Sequence, residues 1–145
     1  MKRFALFAGG LLCLVLLGAD KPDAEAIQGT WIVAACELEA KLLPLSAFKE
    51  LRYGLHKDGK WTLEGGPGFP KAKAGTYTLN PKDKLKTVDL IPNDGPFKGK
   101  TFKGIYQLEG DEMKMCFAFP GKERPTSFTT QPESGLVLEF WRRIK

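Results

Sequence analysis

The chain has 145 residues, 43% of them hydrophobic and 27% charged, with a formal net charge of +5. That length suits one domain, and so mild a surplus of positive charge does not argue for nucleic acid. One histidine and three cysteines without paired-ligand spacing argue against a metal centre.

At the start, Lys2-Arg3 precedes an apolar run from Phe4 to Leu17, and Leu17-Gly18-Ala19 offers a small residue for cleavage. As a helix, Phe4 to Gly18 would span roughly 22 Å, short of the roughly 30 Å hydrocarbon core. Residues 1–19 therefore read as an export signal, which implies a periplasmic or extracellular product with no membrane span. Cys13 lies inside the apolar run rather than at its end, so a soluble product is preferred to a lipid-anchored one. Removing 19 of the 145 residues leaves 126, and losing Lys2 and Arg3 lowers the net charge to about +3.

Residues 20–26 form a short polar lead, and residues 27–145 make up the domain. Thr30–Leu38 is the first strand. Lys41–Glu50 contains Pro44 and room for one helical turn from Ser46. Leu51–Lys57 and Trp61–Glu64 flank Asp58-Gly59, a strong hairpin signal. Gly65–Pro70 is a loop. Strands Gly75–Leu79 and Leu85–Ile91 surround Asn80–Asp83, and Pro92–Gly99 is another loop. A hairpin follows, turning at Gly110-Asp111, then a loop at Pro120–Pro125 and a closing strand at Leu136–Arg143. The count is eight strands, or nine if Thr126–Thr130 pairs. Short strands with turn-rich links predict an all-β fold, a small antiparallel barrel.

Alternation assigns faces. Met113, Met115, Phe117 and Phe119 share one phase against Lys114, Cys116 and Ala118. Phe102, Tyr106 and Leu108 oppose Lys103 and Gln107, with Ile105 spoiling the split. Leu136, Leu138 and Phe140 oppose Glu139, which predicts the leucine row inside.

Candidate chemistry is sparse. His56 reads as a strand residue beside a turn. No Gly-x-Ser-x-Gly elbow is present, and Glu109, Asp111 and Glu112 sit on a turn that favours acidic residues. A half-buried Asp89 needs a cationic partner, which Arg124 or a barrel lysine would supply. Cys36 and Cys116 belong to strands separated by at least the last strand. Two strand spacings, roughly 9–10 Å, exceed disulfide reach, so both thiols are expected free. Lys82, Lys84 and Lys86 read either as a solvated edge or as a patch for an anionic envelope component. No cofactor is called for.

Gly29-Thr30-Trp31, with a basic residue ending the last strand, is similar to the lipocalin pattern. There the tryptophan plugs the closed end and an arginine packs across it. Arg142 shares the phase of Leu136, Leu138 and Phe140 and is the expected partner, with Arg143 in reserve. More closely, the chain resembles a lipocalin-like family of planctomycete bacteria whose function is unknown. The resemblance rests on Gly29-Thr30-Trp31, Gly75-Thr76-Tyr77, Val88-Asp89-Leu90, the block from Gly104 to Asp111 and the block from Gly121 to Pro125. It implies a barrel and brings no catalytic residues.

The reading is an exported, monomeric, non-enzymatic binding protein holding a small apolar or amphipathic ligand. Trp31, Trp61, Tyr77, Tyr106, Met115 and Phe117 are the candidate contacts, with Met113 and Phe140 as further interior bulk. The alternative is a filled barrel that acts through its surface, around Phe69 or Phe97. An enzyme would need Asp89, Glu37 or Arg124 to converge on a cavity.

Overall fold

The computed structural model describes residues 21–66 and 71–145. Residues 1–19, expected to be an export leader, and Phe69 lie outside the described residues. A helical turn, α1 (Asp23–Ala26), precedes nine strands: β1 (Gly29–Leu38), β2 (Lys41–Leu42), β3 (Arg52–Leu55), β4 (Lys60–Glu64), β5 (Lys73–Asn80), β6 (Thr87–Pro92), β7 (Phe102–Glu109), β8 (Glu112–Ala118) and β9 (Leu136–Arg143). The helical turn expected near Ser46 is a 3₁₀ turn at Leu45–Phe48.

From β3 to β9 each strand pairs antiparallel with the next, and β9 returns to β1. The result is a closed eight-stranded antiparallel barrel of the expected lipocalin-like kind. The ninth strand is not Thr126–Thr130 but β2, a two-residue stub on the edge of β1. In an up-and-down barrel successive connections alternate between ends. The tight turns after β3, β5 and β7 therefore gather at one end, and the longer links gather at the other.

Inside, Met113, Met115 and Phe117 point into the main core, as the alternation predicts. The β9 row is a correction. Residues directly opposite each other share a face. Phe117 pairs with Val137, Met115 with Glu139 and Met113 with Trp141, so the inward row is Val137, Glu139, Trp141 and Arg143. Leu136 and Leu138 lie outside, and Phe140 is 39% exposed.

The physical reason is a second apolar cluster on the outer face, where Ile105, Cys116 and Leu138 are covered by Phe128. It also explains why Ile105 breaks the β7 pattern. The segment 126–130 is the strap over this cluster. Lys114 Nζ lies 4.4 Å from the centre of the Phe128 ring, and Thr130 Oγ donates to Glu37 and accepts from the Ala40 N–H at 2.8 Å. Burying the leucine and isoleucine of such a cluster contributes roughly 1.5–3 kcal/mol each, enough to hold a strap without a sheet ladder.

The closed end is built around Trp31, which is fully buried and donates its indole N–H to Ile27 O at 3.0 Å. Arg143, not Arg142, stacks across it, with the guanidinium carbon 4.2 Å from the ring centre. The β1–β9 register pairs Trp31 with Arg143 directly, which turns Arg142 out to solvent. Arg143 also donates to Ala26 O, Gln28 O and, at 3.1 Å, Asp111 Oδ1. Gly29 makes room for it: φ is +138°, and a Cβ there would sit 2.7 Å from the Arg143 Nη1. Beside this, Asp23 of α1 accepts from Tyr106 Oη at 2.6 Å and from Lys86 Nζ at 2.9 Å. Burial alone would raise the Asp23 carboxyl, but these two donors hold it below the ordinary carboxylate range. The polar lead thus closes the barrel.

Candidate functional site

Away from Trp31 the interior is hollow. The cavity measures about 420 Å³ and opens among the long connections, between Leu43, Phe48, Asp94, Phe97 and Phe119. Its floor is aromatic. The Tyr53 ring centre lies 4.8 Å from that of Trp141 and 6.3 Å from that of Trp61. At the rim, the rings of Phe97, Phe102 and Phe119 pack together with centres 5.2–6.2 Å apart, Phe97 and Phe102 in a T-shaped pair.

The local sequence explains two wall aromatics. Trp61 lies opposite Gly75, and Phe117 opposite Gly104. A Cβ at either glycine would come within 2.5 Å of the facing ring. Each ring therefore lies flat over a neighbouring strand instead of filling the centre. The Trp61 indole N–H is satisfied by Thr76 O at 3.1 Å.

Of the six residues predicted to contact a ligand, Trp61 and Phe117 line this cavity. Trp31, Tyr77, Tyr106 and Met115 do not reach it, because they pack the closed half. Tyr77 is held there by its hydroxyl, which donates to His56 O at 2.8 Å. His56 itself caps the β3–β4 turn and shares a 2.9 Å hydrogen bond with Thr62.

The residues that sequence reasoning missed are Tyr53, Glu139 and Trp141. Alternation of Leu51, Tyr53 and Leu55 against Arg52, Gly54 and His56 carried the signal for Tyr53. For β9 the more apolar row pointed the other way.

Among the described residues, Glu139 is the one ionisable carboxyl on the cavity floor. Its Oε2 accepts from the Trp141 indole N–H at 2.9 Å, and among the described residues its Oε1 takes no hydrogen bond. Packed protein surrounds it, while the surface it retains faces the cavity. Burial pushes this carboxyl from its ordinary value of 4.5 up to about 7, partly offset by the Trp141 N–H. Tyr53 is 4% exposed, and its buried hydroxyl has no partner among the described residues. Burial raises that phenol well above its usual value, and the Glu139 charge adds to the rise. Burial, then the Glu139 charge, likewise pushes the Cys36 thiol up to about 12.

Among the described residues, Cys36 and Cys116 are free. β9 lies between their strands, as the strand-order reasoning requires, and Cys36 faces the cavity whereas Cys116 faces the strap. Asp89 and Arg124 pair as anticipated, Nη2 to Oδ1 at 2.8 Å. That contact is off the N–H axis, so the oxygen gains charge compensation rather than a linear hydrogen bond. Arg124 also donates to Gly104 O at 2.8 Å, bracing β6 against β7. Asp89, Arg124 and Glu37 do not line the cavity. Lys82 and Lys84 are exposed on the β5–β6 turn, whereas Lys86 is engaged by Asp23. No cluster of metal-ligating side chains occurs among the described residues, and no helix there is long and apolar enough to cross a membrane.

No protein-family model matches the chain, and no curated protein matches it in sequence. What defines the molecule is the barrel itself, plugged at one end and hollow at the other.

Proposed function

We propose that this chain is an exported, non-enzymatic carrier that holds a small apolar or amphipathic molecule in the open half of its barrel. The apolar cavity of about 420 Å³ carries this reading. Its volume falls within the range of small-molecule sites, toward the lower end, and its walls are aromatic and aliphatic with few polar groups, the usual make-up of such sites. Leaving so much greasy surface facing water has no benefit for stability, since filling the space with side chains would bury it. Export rests on the leader at residues 1–19, and membership of the planctomycete lipocalin-like family belongs to the same proposal.

Native mass spectrometry of the protein, purified gently from the envelope fraction of its own host, tests this. A stoichiometric, organic-extractable adduct on a chain beginning near Asp20 is the expected result. A clean apoprotein that also takes up no apolar probe in titration would refute it and shift weight to a surface-interaction module, with exposed Lys82 and Lys84 as its first candidate contacts.

A further inference from the structure

The cavity is not uniformly apolar, and its one floor carboxyl says something about what fits. Among the lining residues the charged ones are Lys73 on β5 and Asp94 in the β6–β7 link, both at the mouth, and Glu139 on the floor. Facing Glu139 from the neighbouring strands are Cys36 on β1 and Met115 on β8. Neither provides a cation, and no ion pair to Glu139 occurs among the described residues.

Carboxylates held in protein interiors are normally paired, since an unpaired one loses hydration without return. Here one oxygen is held by Trp141 and the other is left for an occupant. The rings of Tyr53, Trp61 and Trp141 line the same cavity floor, and the π faces of such rings attract cations.

We propose that the cavity takes an amphipathic amine, its apolar body against Phe102, Phe117 and Val137 and its protonated nitrogen on Glu139 within the aromatic floor. This rests on the ligand-carrier reading above and names the chemical class of the ligand. An anionic amphiphile is disfavoured in that pose, since its head would meet the Glu139 carboxylate, the one lining cation, Lys73, being at the mouth.

Isothermal titration of the mature protein at pH 7 with octylamine, octanol and octanoate separates the two levels of the claim. Octylamine is expected to bind at least about tenfold more tightly than the other two, the worth of one charge-assisted hydrogen bond. Glu139→Gln, checked for folding by its thermal melt, should abolish that preference while leaving octanol binding within about twofold. Octylamine binding should also expel protons as Glu139 ionises, read as a dependence of the heat on buffer, and octanol binding should not.

Equal or tighter binding of octanol or octanoate overturns the amine assignment and leaves the carrier reading standing. An unchanged preference in Glu139→Gln, or equal proton release by octylamine and octanol, does the same. If none of the three binds at millimolar concentration, both fall. Should Glu139→Gln fail to fold, the ranking of the three probes on the unmodified protein still decides.

Discussion

Glu139 makes the stability of the empty barrel depend on pH in an unusual direction. Its carboxyl ionises near 4.5 when unfolded and at about 7 when folded. Between those values the native state holds more protons than the unfolded chain, so stability falls as pH rises through the window. The rise corresponds to about 3 kcal/mol, an upper figure because the carboxyl keeps some surface toward a cavity large enough to admit water. Asp23 and Asp111, held below their ordinary value of 3.8, contribute stability that is lost only as pH falls below that region, outside the window. The raised thiols and phenols titrate above it. Urea unfolding of the barrel domain, residues 20–145, at intervals from pH 5 to 8 should therefore show stability declining in the parent. Glu139→Gln should show a flat profile and be more stable than the parent at pH 8. If the two profiles decline in parallel, the carboxyl is not desolvated on the cavity floor and the electrostatic argument built on it is wrong.

Other outcomes follow from the same geometry. Arg143→Ala should cost about 3 kcal/mol, from the lost stack on Trp31 and the freed carbonyls of Ala26 and Gln28, whereas Arg142→Ala should stay within about 0.5 kcal/mol; denaturant midpoints of the two variants decide which arginine closes the barrel. Gly29→Ala should destabilise by about 2 kcal/mol, measured the same way, because its positive φ and the Arg143 side chain both oppose a Cβ. Tyr53→Phe should raise stability by about 1 kcal/mol in the ligand-free protein, since it removes a buried hydroxyl that has no partner; a loss would mean that the hydroxyl is satisfied. Burial raises Cys36 to about 12 and Cys116 to about 11, so Ellman's reagent at pH 8 should label neither thiol until denaturant is added, and rapid labelling of the folded protein would contradict their placement.

The barrel was legible because its turns are. Asp58-Gly59, Asn80–Asp83 and Gly110-Asp111 are tight-turn signals, and the links between them are long and rich in proline or glycine. Alternating short and long connections already imply a two-ended barrel with a plain end and an elaborated one. The site was only half legible. Trp61 and Phe117 stand out as aromatic residues on regular strands. The facing of β9, however, depends on its register with β8 across a 17-residue connection, from Phe119 to Gly135, that fixes no register by itself. Leu136, Leu138 and Phe140 form the more apolar row, and nothing local reveals that Phe128 will arrive to cover part of it. A carboxylate on a cavity floor thus looks, in the sequence, like an ordinary solvent-facing residue.

The same ambiguity on β1 is resolved by a bulge, and the bulge shapes the site. β1 pairs Val33 with Trp141 and then Ala35 with Phe140, so one residue, Ala34, is extra. Trp31 and Val33 face inward before it, and Cys36 and Leu38 after it. Without the extra residue the inward row would continue through Ala35 to Glu37. That would bring a second carboxylate onto the face that carries Glu139, where repulsion between like charges would drive one of the two neutral. With the bulge, Glu37 turns outward to Thr130 on the strap, and the cavity receives a thiol and a leucine instead. The Ala34-Ala35 pair is small enough to accommodate the kink, and β1 can then serve two ends with different needs. Its first part presents Trp31 to Arg143 in the filled half. Its second part presents an apolar wall that leaves Glu139 as the lone floor carboxylate.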